Sequence, residues 1–439
     1  MNIKTLLLGS VAAAGMSSAA FAADMPQAMT SLDVCDALGL SGLTISSDTN
    51  CVQISGSVEY KFKWGDYEST TIAGYFAAEQ GVHNNNSTYN VNIGDGNTNW
   101  SSDVITKLNI IATADSDFGP AKAVIKLKND YTDHLDQNGN SSYNVYIDQA
   151  YVSVGDSTVL MAGKKDSIAN TGDDTPFNYL GLFNSEAVNT GVYWDNGSGA
   201  GTVNPSTSIS TGGHVIQVVS DLGNGVSVGA GLEKLDANGT FVGVMNYAGD
   251  NLTGHITLVS SNILDNTMTH EWGIHAGATA TMDNFKIRGA VAANSNGYWN
   301  GLISGEAGFD MFTIAASAEA NSEDEWGAGA SVTAKLTDTV TLNVGARYYD
   351  FNTNISNADL WEVAAAITAD VSETLSVTGK VGMLKPGSFQ QGVFGYGDVT
   401  YGSVGATWTP GGGFTASLTG EANSESAYKV TFDAKKTFE

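Results

Sequence analysis

Four carboxylates lie in a short stretch rich in Gly, Asn and Asp, and they surround the segment Pro176-Phe177-Asn178-Tyr179: Asp166, Asp173, Asp174 and Glu186. At a narrow passage, such groups act on nearby ions because a low-dielectric wall focuses their field. Adjacent carboxylates such as Asp173 and Asp174 also suit a hard cation such as calcium. The third interpretation is an ordinary solvated acidic loop, which needs no ligand.

Six lysines supply the opposite charge in early segments that alternate polar and apolar residues. Side chains two residues apart share one face of a strand, so the alternation puts all six on the polar face: Lys61, Lys63, Lys107, Lys122, Lys126 and Lys128. If those segments are neighbours in a sheet, the lysines form a basic wall. The alternative is that they lie near the rims of the sheet.

The sequence contains two matches to functional motifs, and neither has the surrounding residues or structural setting that its motif requires. Gly225-Val-Ser-Val-Gly229 matches G-x-S-x-G, but it enters a strand from a turn instead of forming a strand-to-helix elbow. Asp136-Gln-Asn-Gly-Asn140 opens like a calcium loop, yet Ser141 and Ile147 stand where Gly and Glu are required. The net charge of −27 disfavours a nucleic-acid partner. We therefore predict a protein that is not an enzyme and has no cofactor or metal, with calcium at the acidic loops as the alternative.

The first residues predict export from the cytoplasm. Lys4 gives a positive start, an apolar run follows, and Ala20-Phe21-Ala22 forms a cleavage site, so residues 1–22 are predicted to be a signal peptide. Residues 23–51 then form an N-terminal segment that carries Cys35 and Cys51. In an oxidising compartment such a pair is predicted to form a disulfide, with two free buried thiols as the alternative.

Residues 52–439 alternate apolar and polar residues in segments of about ten, which is typical of strands. The first segment has one apolar face made of Val52, Ile54, Val58, Tyr60, Phe62 and Trp64. After the signal there is no run of about 18 apolar residues that could form a membrane helix. A membrane role therefore requires a closed barrel, because only closure pairs every backbone group.

The links between the segments favour that barrel. Short links such as Gly155-Asp-Ser157 alternate with long Asn- and Asp-rich ones such as Gln80 to Trp100, a habit of transmembrane barrels. We predict an all-β transmembrane antiparallel barrel with an even number of strands, between 16 and 20, the segments numbering about 20. The alternatives are a soluble β-sandwich and a repetitive surface protein.

Two stretches carry a resemblance to a known family. Val34-Cys-Asp-Ala-Leu-Gly39 with Asp48-Thr-Asn-Cys51-Val-Gln-Ile-Ser-Gly56 resembles the start of the trimeric general porins of alphaproteobacteria. Asp148-Gln-Ala-Tyr-Val-Ser-Val-Gly155, followed by Met161-Ala-Gly-Lys-Lys-Asp-Ser167, is similar to the strand pair that precedes the third loop of that family. The chain departs from the family in its strand number, usually 16 there, and in ending on Glu439 after Phe438 instead of on an aromatic.

The resemblance implies a homotrimer of multi-pass barrels in the bacterial outer membrane, surrounded by lipid and lipopolysaccharide, that passes small hydrophilic solutes. It also implies that a third loop, about residues 164–213, folds into the lumen and sets the four acids against the lysine wall. Because the loop acids would dominate the narrowest point, we predict a moderate preference for cations. The alternatives are a channel selective for a sugar or a cationic solute, and an adhesive or structural surface protein.

Overall fold

The computed structural model describes residues 32–67, 71–72, 91–92, 96–129, 134–136, 141–142, 145–169, 173–183, 209–265, 267–322, 324–350, 359–386 and 397–439. The signal-peptide prediction for residues 1–22 lies outside this part of the chain. One short helix, α1, spans Leu32–Ala37, and nearly all remaining regular structure is strand. Among the described residues, no helix is long and apolar enough to cross a membrane.

Within the described residues, twenty-five strands follow in chain order. The early ones are β1 (Thr44–Ser46), β2 (Cys51–Asp66), β3 (Thr71–Ile72), β4 (Val91–Asn92), β5 (Asn99–Ala114), β6 (Ala121–Asn129), β7 (His134–Asp136), β8 (Ser141–Ser142), β9 (Tyr146–Gly155) and β10 (Thr158–Lys165). The later ones are β11 (Gly213–Gly223), β12 (Val226–Glu233), β13 (Thr240–Ala248), β14 (Leu252–Ser261), β15 (Trp272–Met282), β16 (Phe285–Asn294), β17 (Trp299–Phe309), β18 (Phe312–Asn321), β19 (Trp326–Thr337), β20 (Val340–Asp350), β21 (Asp359–Ser372), β22 (Leu375–Pro386), β23 (Val399–Gly411), β24 (Phe414–Asn423) and β25 (Tyr428–Phe438).

These strands close into a ring. One sheet holds 23 of them, and within it β1, β7 and β8 are short additions to a closed barrel of 20 antiparallel strands. Each barrel strand pairs with the next along the chain, and β2 closes the ring by pairing with both β5 and β25. The count of about 20 is confirmed, and the departure from 16 strands is real.

The connections divide into two kinds, one at each end of the barrel. Two-residue turns are common at one end, for example Asn224-Gly225, where both residues have positive φ (52° and 79°) as a tight hairpin turn requires. The opposite end carries the long connections, including residues 67–98 and 166–212. This asymmetry is the one predicted from the sequence.

Each barrel strand has one apolar outward face and one inward face that is polar or lined by small residues. Large apolar side chains such as Ile256, Val291 and Ile303 stay 45% or more exposed on the outside, as a lipid-facing surface requires. Aromatic side chains lie at both ends: Tyr348 packs at a tilt against Trp326 and Trp361 at the long-loop end, and Phe285 contacts Phe309 at the short-turn end. A hydrophobic band with aromatic side chains at both ends is the pattern of a membrane-spanning barrel.

Two segments alternate poorly in the sequence, and the structure supplies the reason. In β9 the pairing with β6 shifts between Lys126 and Leu127, so a bulge interrupts the period of two. In β11, Val215 faces the interior of the barrel and is buried there. An apolar residue at this inward position removes the polar half of the alternation there, whereas the next inward residue, Gln217, is buried and polar.

The N-terminal segment is joined to the first barrel strand by a disulfide between Cys35 in α1 and Cys51, the first residue of β2. The disulfide prediction is confirmed. Both cysteines are buried (1% and 0% exposed), and β1 pairs with the start of β2 from Ser46↔Cys51 to Thr44↔Gln53. The bridge therefore fixes the entry of the chain at the strand that closes the ring.

Replacing both cysteines with serine should lower the free energy of unfolding by about 3 kcal/mol, because the bridge restricts a short loop in the unfolded chain. Urea unfolding of the folded protein in detergent measures this change. Ser46→Ala is the matched control, since it removes only the hydroxyl that donates to Cys35 Sγ at 2.8 Å. An unchanged urea midpoint in the double variant would show that the bridge does not stabilise the barrel.

Candidate functional site

The connection between β10 and β11 enters the barrel. We call residues 173–183 of this loop the inner segment. The backbone N–H of Phe177 donates to Ser304 Oγ at 2.8 Å, and that of Tyr179 donates to Ser331 Oγ at 2.9 Å. Both serines lie on the inward faces of their strands, β17 and β19. The inner segment therefore lies against the inside of the wall.

Glycines in the wall allow this close approach. A Cβ on Gly277 would lie 2.5 Å from the carbonyl oxygen of Asp173, and one on Gly329 would lie 2.6 Å from Nδ2 of Asn178. Cβ atoms do not approach other heavy atoms so closely, so a side chain at either position would displace the inner segment. The wall is shaped for the backbone that covers it.

A buried carboxylate joins the two stems of the same loop. Glu233, 0% exposed, accepts the backbone N–H of Ile168 at 3.0 Å through Oε1 and that of Gly212 at 2.6 Å through Oε2. The Gln217 side-chain amide also donates to Oε1, at 2.8 Å. One acid on β12 thus holds the outgoing and the returning chain together.

Asp173 and Asp174 contact the wall of β14 to β16. Asp173 Oδ1 accepts the hydroxyls of Thr253 at 2.8 Å and Thr279 at 2.7 Å, and it lies 3.6 Å from Nη2 of Arg288. The Asp174 carboxylate is 1% exposed and lies 3.3 Å from Nε2 of His275. Burial raises the pKa of Asp174, against the opposing effect of His275. Both acids thus have partners in the wall.

The other two predicted acids differ from this pair. Asp166, directly after β10, is exposed and accepts a hydrogen bond from the Gln149 side chain. Glu186 lies outside the described residues. Of the predicted acids that the structure describes, Asp166 has the most solvent-accessible charge.

All six predicted lysines lie on β2, β5 and β6, which are consecutive in the ring, and they occupy inward positions. Lys107 faces Lys128 directly across the β5–β6 pair. Lys61 is partly neutralised, since its Nζ lies 3.7 Å from Glu59 and 3.6 Å from Asp433. The six lysines thus lie on one stretch of the inward surface, with acids interspersed among them.

The lysine wall and the inner segment occupy different parts of the circumference. Counted from β2, the lysines lie on the first three ring strands, whereas Asp173 and Asp174 contact the ninth to the eleventh. That is about half-way round the barrel. The acids on that side are paired with Arg288 or buried beside His275, so little of their charge faces the lysines.

Sequence reasoning did not find several residues that shape this site: Arg288, Arg347, Glu233, Glu362 and His275. One signal was available, because Arg288 and Arg347 are the only two arginines of the chain and each lies at an inward position of its strand. Both contact the inner segment, Arg288 at the Thr175 carbonyl and Arg347 at the Leu182 carbonyl.

The two sequence matches that were rejected, one to a catalytic serine motif and one to a calcium loop, show no functional geometry in the described residues. Ser227 lies in β12 and accepts a hydrogen bond from Asn246 at 3.4 Å. Residues 137–140 of the imitation calcium loop lie outside the described residues. Within the described part of the chain, no group of three or more His, Cys, Asp or Glu side chains could hold a metal ion.

Comparison with known proteins gives consistent matches. A family model described as "Porin subfamily" matches residues 20–395. Porin Omp2a of Brucella ovis is 26% identical over 353 residues, which cover 74% of this chain and 91% of that protein. Porin Omp2b of Brucella neotomae is 25% identical over 359 residues, covering 74% and 86%. Among solved structures, a triple mutant of Rhodopseudomonas blastica porin aligns with 88% of this chain and 100% of its own, at 14% identity and a TM-score of 0.38.

Proposed function

The chain belongs to the porin subfamily and is a multi-pass β-barrel channel of the bacterial outer membrane, and from that premise we propose passive diffusion of small hydrophilic solutes and ions. The observation that carries this proposal is the inner segment, which lies inside the barrel against the inward face of the wall. Such a segment narrows a lumen. A channel of this kind performs no chemistry, so we propose that the protein is not an enzyme and needs no cofactor.

A moderate preference for cations is part of the proposal. We propose Asp166, Asp173, Asp174 and Glu186 as the acids of the constriction loop, and we expect them to contribute unequally to ion selectivity. The charge of Asp173 is offset by Arg288 and that of Asp174 is buried beside His275, whereas Asp166 is exposed. On the other side, Glu59 and Asp433 reduce the effect of Lys61. We keep the preference for cations because the exposed Asp166 carries the accessible charge of the loop, while Glu59 and Asp433 reduce the opposing charge of the lysine wall.

The assembly is proposed to be a homotrimer in lipid and lipopolysaccharide, on the strength of the family relationship. Residues 1–22 are proposed to act as the removable export signal.

Recording from the purified protein in a planar bilayer tests the function. We expect stepwise insertions that each close in three equal sublevels, conductance that rises with salt concentration, and a reversal potential in a KCl gradient that has the sign of cation preference. Boiled protein is the control, because heat destroys the barrel. Absence of conductance steps would overturn the channel proposal, and single-level closures would overturn the trimer.

A solute-selective channel is the second candidate, favoured by one feature of the inward wall. Lys380 Nζ lies between two rings, 5.7 Å from that of Tyr179 and 5.4 Å from that of Tyr401. Swelling of protein-containing liposomes in neutral sugars separates the two candidates. A rate that falls smoothly with sugar size supports diffusion, whereas saturation with one sugar supports selectivity.

A further inference from the structure

Both arginines of the chain contact the inner segment, one near each end of it. We propose that Arg288 and Arg347 are positioning residues that hold the inner segment in one place across the lumen, and so keep the aperture constant. They are not charges that passing ions meet. The proposal rests on the proposed channel function, because an aperture matters only if solutes pass.

Arg288 binds the start of the inner segment by several contacts at once. Its Nη1 donates to the carbonyl oxygen of Thr175 at 2.8 Å and to the Thr175 hydroxyl at 3.0 Å. Its Nε donates to Thr279 Oγ1 on the neighbouring strand at 2.8 Å. The guanidinium carbon lies 4.4 Å from the centre of the Phe177 ring. A strand side chain is thus joined to both the backbone and a ring of the loop.

Arg347 repeats this arrangement at the other end. Its Nη1 donates to the carbonyl oxygen of Leu182 at 3.0 Å, and its guanidinium carbon lies 3.9 Å from the centre of the Phe183 ring. Its Nε and Nη2 each lie 2.6 Å from Oε2 of Glu362 on β21. The wall acid orients the guanidinium, and the guanidinium orients the loop.

Arginine is the side chain suited to this task. Its planar group offers five donors in fixed directions, so it can bind a carboxylate, a carbonyl and an aromatic face together, which a lysine ammonium cannot do with the same geometry. The remaining described hydrogen bonds between the inner segment and the wall include the two serine hydroxyls, which are neutral. Charge-assisted hydrogen bonds are roughly twice as strong as neutral ones, so the two arginines, together with the Asp173 carboxylate that accepts Thr253 and Thr279, dominate the attachment.

Burial keeps these two charges away from the ion path. Arg347 is 3% exposed and is paired with Glu362, which is 0% exposed. Arg288 is 16% exposed at its side chain and lies beside Asp173. Each arginine carries its own counter-charge, so its net field in the lumen is small.

The test uses Arg288→Lys and Arg347→Lys in the full-length folded protein. Each variant keeps the positive charge beside its acid, so no buried carboxylate is left unpaired. Lys385→Gln is the matched control, since it breaks the exposed 3.9 Å pair with Asp398 and lies on a strand that holds neither arginine. Hydrogen exchange of the backbone amides in residues 173–183 is measured in detergent, and brief closures of single channels are counted in bilayers.

We expect both arginine variants, but not the control, to raise the exchange rate of the inner segment and the frequency of closures on the order of tenfold. If exchange within residues 173–183 and closures match the parent while only the unfolding temperature falls, the arginines stabilise the barrel without positioning the loop, and the proposal is wrong. If the parent conducts no current but exchange responds as expected, the channel function fails and the positioning role stands.

Discussion

Replacing Lys107, Lys122 and Lys126 with glutamate should increase the ratio of cation to anion permeability on the order of tenfold. These inward lysines lie on the adjacent strands β5 and β6, and none of them has a carboxylate partner within 4.0 Å in the described part of the chain. Their charge is therefore available to passing ions. Each replacement changes the local charge by two units, and several such changes at one wall add in their effect on the potential.

The reversal potential of single channels in a KCl gradient measures this change. The control replaces Lys286, Lys335 and Lys385 with glutamate, because these three lie near the ends of strands β16, β19 and β22 and the net charge changes equally. We expect a much smaller shift there, since mobile ions screen charges beyond about 8 to 10 Å at physiological salt. Equal shifts in the two triple variants would mean that total charge, and not the wall, determines selectivity.

Replacing Glu233 with alanine should lower the free energy of unfolding by about 3 kcal/mol, because two backbone N–H groups and one amide lose their acceptor in a buried place. Glu233→Gln should be nearly as costly. Oε1 and Oε2 both accept N–H groups of the loop stems, so an amide would set its own NH2 against a donor whichever way it turned.

Urea unfolding in detergent measures both variants, and Glu306→Gln is the matched control. Glu306 forms an exposed pair with Lys286, which contributes less than about 1 kcal/mol. If Glu233→Gln were as stable as the parent, the carboxylate would not bridge the two stems. Loosened stems should also increase open-channel current noise, which the same bilayer recordings detect.

The architecture follows from the sequence because local alternation determines which face of the sheet each strand side chain occupies. A period of two fixes which side chains share a face, and Val58, Tyr60 and Trp64 are exposed on the outside as their alternation predicts. The six lysines fall on the inward face for the same reason. The number of strands and the pairing of Cys35 with Cys51 could likewise be predicted, since turns and cysteine spacing are read directly along the chain.

The partners of the loop could not be predicted in this way, because they come from strands far along the chain. Thr253 binds Asp173 across 80 residues, and Arg347 binds Leu182 across 165. Nothing in the local pattern of residues 166–212 distinguishes the buried Asp174 from the exposed Asp166. The sequence by itself determined a closed membrane barrel with a charged inner wall and an acidic loop. Only the tertiary structure decided which acids are neutralised and which arginines bind the loop, since burial and ion pairing depend on surfaces that meet only when the barrel closes.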